Sequence, residues 1–237
     1  MPRHPPLHRF PTMGGMSLSL AEELVLLAYD DTGAPRAGTQ RLQYGLAGAL
    51  LMELMLVERV TVVDKRLVVT DPTPTGDPIT DEALARLNTG RRARKPKDWL
   101  GTLGKGLRER VLDRLVTAGV LRREYRKVLW VFPTTRYPSA SGAEPLPEAE
   151  VRRRLAAVVD TTGPVDPRTA ALCALVRATQ IEKLAVPHRP AREVRERFKA
   201  VVDESWPADA VRKAIAEMET AVMVAVTATV VTGGQTG

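Results

Sequence analysis

Thirteen consecutive residues, Gly45 to Val57, constrain the fold of this chain most. They read GLAGALLMELMLV, apolar on nearly every side of a helix, with Glu53 as the only acid. A helix that is apolar nearly all round belongs at the centre of a fold. Glu53 within it must face the surface or hold a partner. The segment is too short for the ~18–20 apolar residues that cross a bilayer. The same holds for the other apolar runs, including Ala221 to Val231, which contains Thr227 and Thr229 and reads as a buried helix or strand.

Local signals place further elements around this helix. Ser19 and Glu22 have capping-box spacing, and Leu20, Leu24, Leu27 and Ala28 follow with helical period. Val60–Val63 and Leu67–Thr70 flank Asp64-Lys65-Arg66 as a tight hairpin. A proline-rich loop, Asp71 to Pro78, precedes a helix over Ile79–Leu87, capped by Thr80 or Asp81. Leu107–Ala118 is amphipathic, with Leu107, Val111 and Leu115 turned inward. Val120–Arg122 and Val128–Phe132 then flank a charged turn, Arg123–Lys127, as a second hairpin. Helices over Glu148–Val159, Asp166–Leu184, Ala191–Asp203 and Ala208 to Val231 complete the chain. The expectation is a mainly α fold, a compact single-domain helical bundle with two peripheral β-hairpins, over residues 17–231. A disordered arm (1–16) precedes it and a flexible tail (232–237) follows. The arm carries Arg3, Arg9 and four prolines without an apolar centre, so it does not read as a secretory signal.

Composition narrows the chemistry. Of 237 residues, 44% are hydrophobic and 27% charged, the balance of a soluble globular protein. One cysteine, Cys173, excludes an intramolecular disulfide, and three histidines leave little material for a histidine metal cluster. Cys173 lies among alanines and leucines and reads as a core residue. His188, between prolines, reads as loop. The acidic pairs at Asp30-Asp31 and around Asp77 read as turn formers. A glycine-rich phosphate loop, an HExxH helix and a nucleophile elbow are all missing, so the sequence predicts neither an enzyme nor a cofactor.

Charge placement says more than charge total. Residues 1–85 hold 7 Lys/Arg against 11 Asp/Glu, residues 86–136 hold 15 against 4, and the remainder holds 13 of each. The central 51 residues thus carry a net +11, more than the +7 of the whole chain. Such an excess suits a polyanion: nucleic acid, an anionic membrane surface or a phosphorylated head group. On one helix Lys105 and Arg108, spaced i, i+3, would share a face and grip one phosphate. The order helix, strand, basic tip, strand from Lys105 to Tyr137 also fits a winged helix contacting DNA phosphates. Nucleic acid is therefore the alternative partner.

Four blocks in order carry a family resemblance. They are Leu18 to Leu27 (LSLAEELVLL), Gly45 to Leu54 (GLAGALLMEL), Pro74 to Leu84 (PTGDPITDEAL), and Leu107 to Val116 (LRERVLDRLV) leading into Gly119-Val120-Leu121. Together they make the chain similar to the Golgi phosphoprotein 3 family, whose eukaryotic members are peripheral Golgi proteins that bind phosphatidylinositol 4-phosphate. The scarcity of lysine beside arginine resembles a bacterial, actinobacterial-like member. The resemblance implies a non-enzymatic, cytoplasmic protein held peripherally on membrane, with a lipid head-group pocket on a basic face. Arg108 matches one arginine of that pocket, and Lys105 stands where a second would be. The family's tryptophan falls near Gly38 and its second-helix arginine at Ala47, so neither side chain is retained. Arg41, on the same approach, is the candidate replacement. What survives is the broader expectation of an anionic phospholipid or phosphoinositide. The second hairpin, with Arg123, Arg126, Lys127, Leu129 and Trp130, is implied in membrane contact or in self-association as a homo-oligomer.

Overall fold

The computed structural model describes residues 18–90, 94–128, 132–163, 165–204 and 209–233. The described elements run α1 (Leu20–Ala28), α2 (Thr39–Leu56), β1 (Val60–Val63), β2 (Arg66–Val69), α3 (Pro78–Asn88), α4 (Pro96–Gly104), α5 (Leu107–Thr117), β3 (Glu124–Val128), β4 (Phe132–Arg136), α6 (Leu146–Asp160), α7 (Pro167–Thr179), α8 (Glu182–Ala185), α9 (Ala191–Glu204) and α10 (Asp209–Gly233). The two antiparallel pairs, β1–β2 and β3–β4, are separate. The mainly helical architecture with two hairpins is therefore observed. The arm, the last four residues of the tail (234–237) and the segment 129–131, which contains Leu129 and Trp130, lie outside the described residues, whereas Thr232 and Gly233, expected in the tail, belong to α10.

The apolar helix is central, as its composition requires. It begins six residues earlier than its apolar run, at Thr39, and packs against α1, α4, α7 and α10. Its glycine at position 48 lets α10 come close: a Cβ there would stand 2.5 Å from the Val222 methyl. Leu46, Leu51, Met52 and Leu54 are fully buried. Burial of each such side chain contributes about 1.5–3 kcal/mol.

Capping chemistry sets the helix starts. Ser19 and Glu22 form the expected capping box, with the Glu22 amide donating to Ser19 Oγ at 3.3 Å and the Ser19 amide to Glu22 Oε2 at 2.7 Å. α3 is capped by Asp77, which accepts the Thr80 amide at 2.8 Å, and not by Thr80 or Asp81. Pro78 occupies the first helical position, where its missing amide costs nothing. The first hairpin closes through Asp64 and Lys65, both at positive φ (48° and 59°), as a two-residue turn requires.

Two other expectations need correction. The helix foreseen over Asp166–Leu184 breaks at Gln180, which takes the left-handed conformation (φ 55°) and ends α7 before the short α8. In the second hairpin, Arg123–Lys127 is not a turn: β3 itself runs Glu124–Val128 and pairs with β4 in the register Glu124 opposite Arg136 through Val128 opposite Phe132. Glu124 lies between Arg122 and Arg126 and bonds both, so a strand rich in like charge is tolerated.

Candidate functional site

Helix α4 sorts its residues cleanly. Pro96, Trp99, Leu100, Leu103 and Gly104 are buried, whereas Lys97, Asp98, Gly101, Thr102 and Lys105 are exposed. The exposed set repeats at i, i+4 and i+8, which is one face of a helix. Gly101 stands between the two lysines with no side chain, and a Cβ there would meet open space. The result is an open cleft of about 840 Å³, walled by α4, Tyr44 of α2, Arg86 of α3 and Ala225 of α10.

The charges here are in two conditions. Arg86 and Arg110 share Glu82, at 2.5 and 2.6 Å. Lys95, Lys97 and Lys105 are exposed, and none has an ion-pair partner among the described residues. The remaining arginines of the basic segment are largely engaged. Arg94 lies over the Trp99 ring at 5.4 Å. Arg114 forks onto Glu22 at 2.7 and 2.8 Å and also meets Asp77. Arg122 and Arg126 bond Glu124, and Arg123 bonds Asp113 while lying over Tyr137. Lysine ammonium on a flexible stem is thus what this face offers an anion.

Lys105 and Arg108 are not brought together as a pair on one helix. Lys105 ends α4, Gly106 takes φ 70°, and Arg108 is the second residue of α5. Arg108 is not a wall of the cleft; it bonds Glu109 at 2.6 Å and lies near Tyr29 and Tyr137. Burial raises the Tyr29 phenol to about 12, with Arg108 opposing that shift. The two tyrosine rings meet edge to face at 6.2 Å. Arg41, half-buried in the first turn of α2, has no ion-pair partner among the described residues and precedes Tyr44 by three positions.

A profile of the family described as Golgi phosphoprotein 3 (GPP34) matches residues 20–218. The chain belongs to this family. It is also similar to vacuolar protein sorting-associated protein 74 of Eremothecium gossypii, at 30% identity over 60% of this chain and 49% of that protein. The chain therefore spans about half the length of the curated relative it matches.

The two positions at which the resemblance implies pocket side chains differ in kind. Gly38 is the exposed N-cap of α2, and a side chain there would meet no atom within 4 Å. Ala47 is fully buried, so in this chain that position belongs to the core and an arginine there would be stranded. The family block LSLAEEL acquires a structural meaning. Glu22 and Glu23 are both buried, and each faces an arginine from far along the chain, Arg114 and Arg154. Glu53 is paired as well: it takes Arg168 at 2.6 Å and the Leu20 amide at 2.9 Å. Burial raises the Glu23 carboxyl above its ordinary value despite Arg154.

The acidic loops are turn chemistry. Asp81 accepts the Thr75 amide and hydroxyl at 2.6 and 2.7 Å, and Asp30 accepts Thr32 and Ala34. Cys173 is fully buried, and burial pushes its thiol far up. Among the described residues, no group of three or more His, Cys, Asp or Glu is placed to hold a metal, and no helix is long and apolar enough to cross a membrane. The sequence marks Lys97 only as the end of a basic loop from Gly90, whereas α4 begins at Pro96, and it does not single out Arg86; the outward period of α4 was the signal available for Lys97.

Proposed function

We propose that this protein is a non-enzymatic, peripheral membrane protein of the cytoplasm that docks on anionic phospholipid through the cleft face of α4. The observation that carries this reading is the contrast between unpaired Lys95, Lys97 and Lys105 and the paired arginines around them. Lys97 and Lys105 are eight residues apart, about 12 Å along a helix axis. That separation suits an array of head groups better than a pincer on one phosphate. Lys105 and Arg108 remain the family-matched head-group residues and Arg41 the candidate replacement, with Lys97 and Arg86 added. Phosphatidylinositol 4-phosphate, the lipid implied by the family, is one ligand of the required chemistry. The hairpin β3–β4, bearing the exposed Tyr125, is the self-association element of this reading.

Flotation on vesicles tests it. Attachment is expected to phosphatidylserine or phosphatidylinositol 4-phosphate vesicles and not to phosphatidylcholine alone. It should weaken as salt shortens the Debye length. Equal flotation on neutral vesicles would overturn it. The winged-helix alternative needs free arginines on α5 and the hairpin, and their carboxylate partners argue against it; no retardation of duplex DNA at low salt is expected.

A further inference from the structure

Helix α10 carries Lys213 and Glu217, then no charged residue from Thr220 to its end at Gly233. Part of that uncharged stretch is in water. Thr220, Val224, Thr227 and Ala228 are exposed, at positions i, i+4, i+7 and i+8, which is one continuous stripe of a helix. Val224 is 54% exposed. The threonine hydroxyls on the stripe are already satisfied: Thr220 Oγ1 donates to the Ala216 carbonyl and Thr227 Oγ1 to the Met223 carbonyl, both at 2.8 Å. A hydroxyl returned to its own helix has no need of water, the device by which threonine sits in apolar surroundings. Ala225, next to Val224, walls the cleft that holds Lys97 and Lys105.

We infer that this stripe of α10, centred on Val224, is an interfacial wedge that enters the acyl-chain boundary of an anionic bilayer while the α4 lysines hold its head groups. Apolar, uncharged helix surface beside unpaired cations is the combination that binds a lipid interface. The opposite sign of the lysines and an anionic leaflet supplies the choice of occupant. The opposite face of α10, with Ile215, Met218, Val222 and Val226, is buried and the helix packs against α2 and α7, so this stripe is the part that can meet a bilayer surface. The inference rests on the docking reading above and adds the contact that penetrates.

The test labels Val224→Cys with an environment-sensitive fluorophore. Cys173 is fully buried, so the label goes to position 224 alone. Arg192→Cys, on the exposed face of α9, is the control. With phosphatidylserine/phosphatidylcholine vesicles the label at 224 should brighten, shift to the blue and be quenched by doxyl lipid, while the label at 192 stays aqueous. Val224→Asp should reduce vesicle partition about tenfold, and Val224→Leu should increase it. If unlabelled protein floats on these vesicles yet the label at 224 stays aqueous, the wedge is overturned and the docking reading stands. If the protein does not float at all, both fail. If the label responds to protein concentration without lipid, the stripe joins two copies of this chain and the wedge is overturned.

Discussion

Two regions of this molecule carry dense positive charge and use it in opposite ways. At the start of α1, Arg114, Arg154 and Arg168 converge on Glu22, Glu23 and Glu53, whose side chains are only 3%, 5% and 18% exposed. On α4 and its two caps, Lys97, Lys95 and Lys105 stand in water with no ion-pair partner among the described residues. The first region fixes helices to one another; in the proposed reading the second is available to an external anion. The residue types follow the difference. A planar guanidinium bonds two carboxylate oxygens at once, whereas a hydrated ammonium is a mobile point charge. Net charge counts both regions alike, so it overstates what an external anion encounters.

The sharpest way to break this contrast is Arg114→Ala. It strands the buried Glu22 carboxylate and removes a partner of Asp77, and is expected to lower the unfolding free energy by about 3–5 kcal/mol, read by urea denaturation. A loss below about 1 kcal/mol, the range of an exposed pair, would remove the distinction between the two regions.

A smaller effect is expected at Asp77, and it depends on pH. Burial opposes ionisation of this carboxyl, but the Thr80 amide and Arg114 outweigh it and hold the pKa below the ordinary value. A folded pKa below the unfolded one contributes stability that is present above the unfolded value, about 3.9, and disappears as pH falls through the folded value. Asp77→Asn should therefore cost about 1–2 kcal/mol at pH 7 and progressively less below about pH 4. Denaturation curves at both pH values check the sign; a cost that grows on acidification would contradict it.

On the other side of the comparison, Lys97→Ala with Lys105→Ala should change stability by no more than about 0.5 kcal/mol. A larger loss in the same denaturation assay would mean that these lysines are structural after all.

Much of the framework was legible in the sequence because its signals are local. The capping box at Ser19, the hairpin turn at Asp64-Lys65 and the apolar helix around Leu50 each depend on residues within a few positions. Asp77 carried the same signal as Asp166, an N-cap followed by proline, and was legible in principle. Gln180 was not, since it takes the left-handed conformation with no glycine, asparagine or proline beside it to mark the end of α7. The second hairpin was misplaced because its charge run resembles a turn, although Glu124 neutralises it in place. For the candidate site, charge and resemblance pointed to Lys105, but which arginines remain available depended on acids as distant as 92 residues, from Glu22 to Arg114. No window along the chain contains that information.

Two double variants test the central claim directly, because each removes the same two positive charges. Lys97→Ala/Lys105→Ala takes them from the cleft face, and Arg122→Ala/Arg126→Ala takes them from around Glu124. In flotation on phosphatidylserine vesicles, the first should reduce partition about thirtyfold, at about 1 kcal/mol per lysine, and the second should leave it within about threefold of the parent. Equal losses would show that net charge alone drives attachment and would contradict a docking face on α4.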